Sequence, residues 1–192
     1  MAYELQDFVT DLRAALSKDA PQEARLEEGA AALQRLLANP DALAPYSWVL
    51  EQGRGPWELH KDPEFGFVVT LLLKPRGQTT HVHNHGEAWT LYGIYEGSEL
   101  VHRYDRHDRG EQSGRADVRL TVDHRRTSGE VEVEPAYAIH NETTGGERDT
   151  IAIAVRGRDL STIDGERFDL STGEMSVGPG NGAKPLPARP GA

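Results

Sequence analysis

Three histidines alternate along one short stretch near the middle of the chain, HVHNH at residues 81–85. Side chains of a β-strand alternate between its two faces, so the three imidazoles share one face if this stretch is a strand. A fourth histidine, His140, follows much later. Imidazoles gathered on one face are typical ligands of a transition metal, so the stretch predicts a metal site.

The chain contains no cysteine. A disulfide framework, a zinc–thiolate site and a cysteine nucleophile are therefore excluded. Any metal must be held by histidine, aspartate or glutamate.

The overall charge argues against polyanionic partners. The formal net charge is −10, from 31 acidic and 21 basic residues, so no general field attracts nucleic acid or anionic membrane. The N-terminus lacks the basic and apolar pattern of a signal peptide, and no apolar run approaches the roughly 18 residues of a membrane span. We expect a cytoplasmic protein with neither nucleic acid nor membrane as a partner.

Residues 1–40 carry two amphipathic helical patterns. Apolar side chains recur every three or four residues, first over residues 5–16 and again over residues 26–37, which indicates one buried stripe on each helix. Pro21 separates the two patterns, because proline disrupts a helix interior. We expect this helical pair to pack on a larger domain.

Residues 41–175 have the pattern of a β domain. Short apolar runs, beginning with Val49-Leu50 and the longer run at 65–73, are separated by Gly, Pro, Asp or Asn. Many short strands after a helical lead-in favour a sandwich or barrel. Residues 176–192 are rich in Gly and Pro with few apolar side chains, so we expect a disordered tail.

An H-x-H pair on a strand, preceded by Gly77 and followed much later by His140, resembles the metal-binding pattern of the cupin superfamily. The resemblance implies an all-β fold, a cupin double-stranded β-helix barrel with an N-terminal pair of α-helices. Two imidazoles from one strand give adjacent coordination positions, and a third from a facing strand completes one face of the metal. The opposite face is left open for substrate and O₂.

The likeness narrows over residues 57–175 to the cysteine dioxygenase family, and to the bacterial thiol dioxygenases in particular. The matching residues are GQTTHVHNHG at 77–86, the segment 129–140 and the later Phe168-Asp169. The resemblance implies one iron site in this barrel and an oxidoreductase activity that uses O₂.

In this register the resemblance implies that His83, His85 and His140 hold a mononuclear non-haem Fe(II). The usual cupin motif has a glutamate three or four residues after the H-x-H, and Trp89 and Thr90 occupy those positions here. We therefore expect three histidine ligands and no carboxylate.

Two further catalytic candidates follow from position. His81 falls in the pocket wall, where an imidazole suits a proton relay. Trp89 follows the ligands closely and is expected to touch the substrate.

The third catalytic candidate, Arg156, stands where the family pattern is lost. The Ser-x-His-x-Tyr row of the thiol dioxygenases is matched by Ala152, Ala154 and Arg156, and the arginine that grips the substrate carboxylate has no counterpart in residues 55–60. If this face lines the barrel, the alanines open space and Arg156 supplies a fork for a carboxylate.

The implied activity is that of a dioxygenase of the thiol dioxygenase class, a monomer or homodimer that oxidises a small anionic substrate, in the first instance a thiol, with O₂. Other functions stay open. A three-histidine Fe(II) site also suits cleavage of a C–C bond in a diketone or aromatic compound. A zinc, manganese or nickel isomerase or hydrolase and a non-catalytic metal-binding or sensor cupin are further alternatives.

Overall fold

The computed structural model describes residues 2–110 and 112–189. Its helices are α1 (Leu5–Leu16), α2 (Gln22–Leu37) and the short α3 (Ser47–Leu50). Its strands are β1 (Trp57–Lys61), β2 (Val68–Lys74), β3 (Val82–His83), β4 (Thr90–Glu96), β5 (Ser98–Arg106), β6 (Val118–Thr127), β7 (Val131–Glu134), β8 (Ile139–Gly145), β9 (Thr150–Arg156), β10 (Asp164–Phe168) and β11 (Met175–Pro179).

The strands form two antiparallel sheets. One has the order β1-β2-β9-β4-β7 and the other the order β11-β10-β3-β8-β5-β6. Apart from the β5–β6 hairpin, successive strands from β2 to β10 alternate between the two sheets. This winding is a double-stranded β-helix, so the predicted all-β barrel of that type, with its N-terminal pair of helices, is confirmed.

The helical pair covers the outer face of the first sheet. Two glycines allow this close packing, because a Cβ at Gly93 of β4 would lie 2.7 Å from the Leu37 Cδ1, and one at Gly29 of α2 would lie 2.8 Å from the Leu12 Cδ1. The side chains buried in this layer include Phe8, Leu12, Leu33, Leu36, Leu91 and Ile153. Strands β4 and β9 are thus buried on both faces, which explains their nearly continuous apolar sequence.

The segment around Val49 is helical rather than extended. Residues predicted as a β-type run form α3, and the Val49 side chain is fully buried. A two-residue apolar run has no periodicity that distinguishes a strand from one helical turn.

The expected disordered tail is ordered over part of its length. Strand β11 pairs with β10 throughout, and the backbone of Lys184 exchanges hydrogen bonds with Pro56 and Glu58, each 2.8 Å long. The prediction was wrong for these residues, because backbone pairing with a sheet edge does not require apolar side chains. Residues 190–192 of the predicted tail, like Met1 of the helical segment, lie outside the described residues.

Candidate metal centre

Three of the histidines singled out by the sequence converge inside the barrel. His83 of β3 is the direct cross-strand partner of His140 of β8, and His85 follows two residues later. The ring centroids of His83 and His85 are 4.7 Å apart, those of His83 and His140 are 4.7 Å apart, and those of His85 and His140 are 5.2 Å apart. One nitrogen from each ring lies within 4.8 Å of the others, so the three can share one metal ion.

Backbone hydrogen bonds set the orientation of two of the rings. The Nδ1 of His83 lies 2.7 Å from the His81 carbonyl oxygen, and the Nδ1 of His140 lies 3.1 Å from the Ala138 carbonyl oxygen. A carbonyl oxygen only accepts, so each Nδ1 carries the proton and each Nε2 is left with a lone pair. The Nε2 of His140 is buried and, within the part of the chain that the structure describes, has no hydrogen-bond partner. A buried acceptor without a donor is suited to bind a metal ion.

The imidazoles are held in the state that binds metal. Burial lowers the pKa of His83 to about 4, helped by the neighbouring His140. Burial also lowers the pKa of His85 well below its usual value, and the charge of Arg156 adds to this effect. Both rings are therefore neutral near pH 7, as metal ligation requires.

Asn84, between the first two histidines, fixes the position of their strand. Its Oδ1 accepts hydrogen bonds from the backbone N–H groups of Gly86 (3.1 Å) and Glu166 (3.0 Å), and its Nδ2 donates to the Glu166 carboxylate (2.6 Å). Gly86 has φ +56°, and a Cβ there would lie 2.0 Å from the Asp164 carbonyl oxygen. The loop after β3 is thereby held against β10.

A carboxylate lies beside His140, although the sequence predicts three histidine ligands and no carboxylate ligand. The Oε1 of Glu142 is 3.5 Å from the Nε2 of His140. On the other side of the ring, the Oε2 of Glu134 is 3.9 Å from the Nδ1 of His140. These two glutamates and His140 also form a group that could hold a metal. The sequence carried the signal for Glu142, because residues 140 and 142 of a strand share a face.

Three other side chains hold the Glu142 carboxylate. Thr80 donates a hydrogen bond of 2.9 Å to its Oε2, the Lys74 ammonium is 3.7 Å away, and the Arg126 guanidinium is 3.7 Å from its Oε1. Burial alone would raise the pKa of Glu142, but the positive charges of Lys74 and Arg126 lower it well below its usual value. Glu142 is therefore a buried carboxylate that is ionised at neutral pH.

The interior beyond Glu142 is filled with paired charges. The Lys74 Nζ is 2.6 Å from the Glu99 Oε1, which also accepts a hydrogen bond of 3.1 Å from the Tyr92 hydroxyl. The Arg126 guanidinium reaches Glu99 at 3.2 Å and Glu134 at 3.4 Å. Such a network presents fixed dipoles and charges to the site rather than mobile water.

The face of Ala152, Ala154 and Arg156 does line the barrel interior, as the sequence suggested. The two alanines do not leave open space, however, because both are fully buried against Tyr92 and Ile94. The Arg156 Nη1 donates a hydrogen bond of 2.5 Å to the Thr90 hydroxyl and lies 3.9 Å from the Oε2 of Glu134. The guanidinium of Arg156 is therefore already partly bound by Thr90 and Glu134.

The remaining two candidates lie in different places. His81 is exposed, lines the mouth of the cavity described below and contacts His83 only through its backbone carbonyl. Trp89 packs against the core beneath the helices, with its ring over Gly157, and does not line the cavity that contains the histidines. The turn in which the Ala88 N–H bonds the His85 carbonyl directs residue 89 away from the histidines, so a contact of Trp89 with substrate stays a prediction that this placement does not favour.

A cavity of about 440 Å³ opens onto His83 and His85. This size suits a small molecule. Its inner wall includes His83, His85, Glu142 and Arg156. Among the residues that the structure describes, no helix is long and apolar enough to cross a membrane.

Comparisons with known proteins give a likeness of fold only. No family model matches the chain, and no curated protein matches it. A solved protein with a double-stranded β-helix domain from Klebsiella pneumoniae is 15% identical over 56% of this chain and 80% of its own, with a TM-score of 0.41. A protein from Bacillus halodurans is 18% identical over 55% of this chain and 72% of its own, with a TM-score of 0.43.

An oxalate oxidase structure is also similar, with 19% identity over 48% of this chain and a TM-score of 0.37. The chain spans only 42% of the length of that oxidase. Scores of this size carry no argument about chemistry, so function rests on the site itself.

Proposed function

We propose that this chain is a mononuclear non-haem Fe(II) dioxygenase that oxidises a small anionic thiol with O₂. The observation that supports this proposal most is the convergence of three imidazoles, two of which, His83 and His85, line the cavity. Within the described part of the chain, the buried Nε2 of the third, His140, has no hydrogen-bond partner. A site of three nitrogen donors with an open side suits iron that must also accept a substrate atom.

His83, His85 and His140 would hold the iron, and Glu142 is close enough to supply a further oxygen ligand. When bound, iron supplies the one-electron chemistry that allows O₂ to react with a closed-shell substrate. The overall reaction is balanced, because one thiol and one O₂ give one sulfinic acid that keeps both oxygen atoms.

The protein side chains contribute position and charge. The backbone carbonyls of His81 and Ala138 fix the tautomers of two ligands. Lys74 and Thr80 hold the Glu142 carboxylate in place. These groups are arranged before substrate arrives, so little reorganisation is needed during reaction.

Two catalytic-residue candidates from the sequence remain proposals. His81 stands at the cavity mouth, within reach of solvent, where a histidine can pass a proton to or from an entering thiol. Arg156 adds positive charge to the wall near His85, which favours an anionic substrate.

Oxygen uptake by Fe(II)-loaded protein tests the proposal. Cysteine, 3-mercaptopropionate and 2-mercaptoethanol would be compared with acetylacetone and catechol, and His140→Ala would serve as the matched site variant. We expect uptake with at least one thiol, one O₂ consumed per thiol, a product that gains two oxygen atoms, and loss of uptake in His140→Ala.

Each other outcome has a definite meaning. Uptake with acetylacetone or catechol alone would replace the thiol proposal with C–C bond cleavage. Iron binding without uptake of O₂ on any compound would indicate a metal-binding or sensor protein. Stoichiometric zinc without iron in the purified protein would contradict the dioxygenase proposal itself.

A further inference from the structure

We propose that residues 180–184 form a strap beside the cavity mouth that determines the size of the molecules able to reach His83 and His85. The strap belongs to the tail for which the sequence predicts disorder. This inference goes beyond the proposed reaction, because it depends on the shape of the cavity and needs neither a metal ion nor a particular substrate chemistry.

The strap connects the edges of the two sheets. It begins directly after β11, the edge strand of the histidine sheet, and ends at Lys184, which forms a parallel bridge with Trp57 of β1, the edge strand of the other sheet. The Lys184 N–H donates to the Pro56 carbonyl, and the Glu58 N–H donates to the Lys184 carbonyl, each at 2.8 Å. The strap therefore spans the side of the barrel that lies between these two edge strands.

Near its start the strap lies tightly on the short helical turn Leu160–Thr162. The Gly180 N–H donates to the Leu160 carbonyl at 3.0 Å. A Cβ at Gly180 would lie 2.8 Å from the Leu160 Cβ, and one at Gly182 would lie 2.7 Å from the Ser161 Cβ. Side chains do not fit at such distances, so the two glycines allow the strap to lie this close to the turn.

The turn beneath the strap is itself held in place. The Asp159 Oδ1 accepts a hydrogen bond of 3.0 Å from the Ser161 N–H, and its Oδ2 accepts one of 2.7 Å from the Lys61 ammonium of β1. The strap thus rests on a fixed turn at one end and on β1 at the other. Because only a few backbone hydrogen bonds hold it, the strap opens at a lower free energy than the core strands do.

The strap also forms part of the cavity wall. Gly180, Asn181 and Ala183 line the same cavity as His83 and His85. The strap thus narrows the mouth, so small molecules enter while it is in place and bulky molecules enter only when it is displaced. Molecules that are small enough to enter whole are therefore favoured over a thiol carried on a large or folded molecule.

The rate at which an introduced thiol reacts tests this inference in metal-free protein. The chain contains no cysteine, so a single cysteine reports access to its own position. Leu72→Cys places a thiol on the cavity wall, where Leu72 of β2 faces the barrel interior. Ser128→Cys, at an exposed position directly after β6, is the reference. The reagents are N-methylmaleimide and the bulky fluorescein maleimide, which share one addition chemistry and differ in size.

Two changes displace the strap, and each has a matched control. Lys184→Pro removes the N–H that donates to Pro56, whereas Lys184→Ala keeps it. Gly182→Val forces the strap away from Ser161, whereas Gly178→Ala adds a side chain where a Cβ would have no atom of the described chain within 4 Å. Each change is introduced into both cysteine variants.

With the strap unaltered, we expect fluorescein maleimide to label Leu72→Cys at least about 100-fold more slowly than N-methylmaleimide, after division by the rates for Ser128→Cys, because the bulky reagent depends on local opening. Lys184→Pro and Gly182→Val should each raise the fluorescein maleimide rate by about fivefold or more, the effect of one lost backbone hydrogen bond. The rate with N-methylmaleimide should change by less than about twofold, and the two control variants should leave both rates as they were.

Three outcomes would overturn the role of the strap. Equal relative rates of the two maleimides in the unaltered protein would show that the mouth does not select by size. A fluorescein maleimide rate that neither Lys184→Pro nor Gly182→Val raises would show that the strap does not limit entry. An equal rise for both reagents would indicate a general loosening of the barrel. The proposed function is tested separately, because these rates require neither iron nor O₂.

Discussion

Glu142 is the residue that changes the chemistry expected of this site most. It is buried and ionised, and its Oε1 lies 3.5 Å from the Nε2 of His140. A metal held by three neutral imidazoles and this carboxylate carries one positive charge less than a metal held by the imidazoles alone. The Lys74 ammonium and the Thr80 hydroxyl hold this carboxylate, so its position is fixed without a metal ion.

Replacement of Glu142 by glutamine tests its part in metal binding. Glu142→Gln keeps the shape and removes the charge, and we expect affinity for Co(II) to fall by about 10- to 100-fold, as for other groups that support a metal. Competition with a chromophoric chelator measures the affinity. Glu147→Gln, which alters an exposed carboxylate, should leave it unchanged, and an equal affinity in Glu142→Gln would show that Glu142 is no part of the metal site.

Arg156 is bound more by its own protein than the sequence suggested. Its guanidinium is buried, bonded to Thr90 and close to Glu134. Burial lowers the pKa of Arg156, while the Glu134 carboxylate opposes this effect. Removal of the arginine would leave the buried Glu134 with one cation fewer.

We therefore expect Arg156→Met to lower the free energy of unfolding by about 2 kcal/mol, less than for an isolated buried pair because Arg126 still neutralises Glu134. Urea unfolding measures the change, and the double variant Arg156→Met/Glu134→Gln should recover at least half of it. The surface variant Arg148→Met should stay within about 0.5 kcal/mol of the wild type. A wild-type stability in Arg156→Met would mean that the arginine is not engaged by the barrel.

At the scale of elements, a single carboxylate joins the helical layer to the barrel. Asp62, just after β1, accepts backbone hydrogen bonds from Glu64 (2.9 Å) and Phe65 (2.8 Å) and pairs with Arg13 of α1 at 2.5 Å. Burial alone would raise the pKa of Asp62, but these donors, the Phe65 N–H first, lower it to about 2. The ionised form is therefore the one that the fold stabilises.

The lowered pKa of Asp62 determines how the stability of the fold depends on pH. The pKa of Asp62 in the folded protein lies below the unfolded value of 3.8. The unfolded chain therefore binds more protons than the folded protein in this pH range. The contribution of Asp62 to stability is complete above about pH 4 and is lost as the pH falls toward 2. We expect this loss to be about 2 kcal/mol. Asp62→Asn should be less stable than the wild type at pH 7 and should show a smaller loss between pH 4 and pH 2, whereas Asp19→Asn, at an exposed site, should follow the wild type. Parallel curves for Asp62→Asn and the wild type would contradict this contribution.

At the scale of the whole molecule, the two sheets have different tasks. The first sheet carries the helical layer on its outer face and the Arg156 wall on its inner face. The second sheet carries the histidines and Glu142, because β3 and β8 are neighbours. Strand β11 and the Lys184 segment extend the edges of both sheets near the cavity. The site thus depends on strands that are far apart in sequence.

This arrangement explains which features the sequence could predict. The predictions of the fold and of the histidine set depended on local patterns, namely the alternation at residues 81–85, the spacing of the turns and the later His140. Glu142 was missed although the same alternation applied to it, since the strand limits around His140 were uncertain. The position of Trp89 required the geometry of one turn, which no local pattern records.

Equilibrium binding of Co(II) at pH 7.5, measured as ions bound per chain, is the most decisive test of the histidine centre. We predict one tight site per wild-type chain, weakened at least about 100-fold by His83→Ala or His140→Ala and unaffected by His107→Ala, which lies outside the cluster. Loading should also raise the melting temperature of the wild type and of His107→Ala, but much less that of His83→Ala or His140→Ala, because an ion that binds the folded state stabilises it. A wild-type chain that binds no ion, or a His140→Ala chain that binds it equally well, would contradict the metal centre and the proposed function with it.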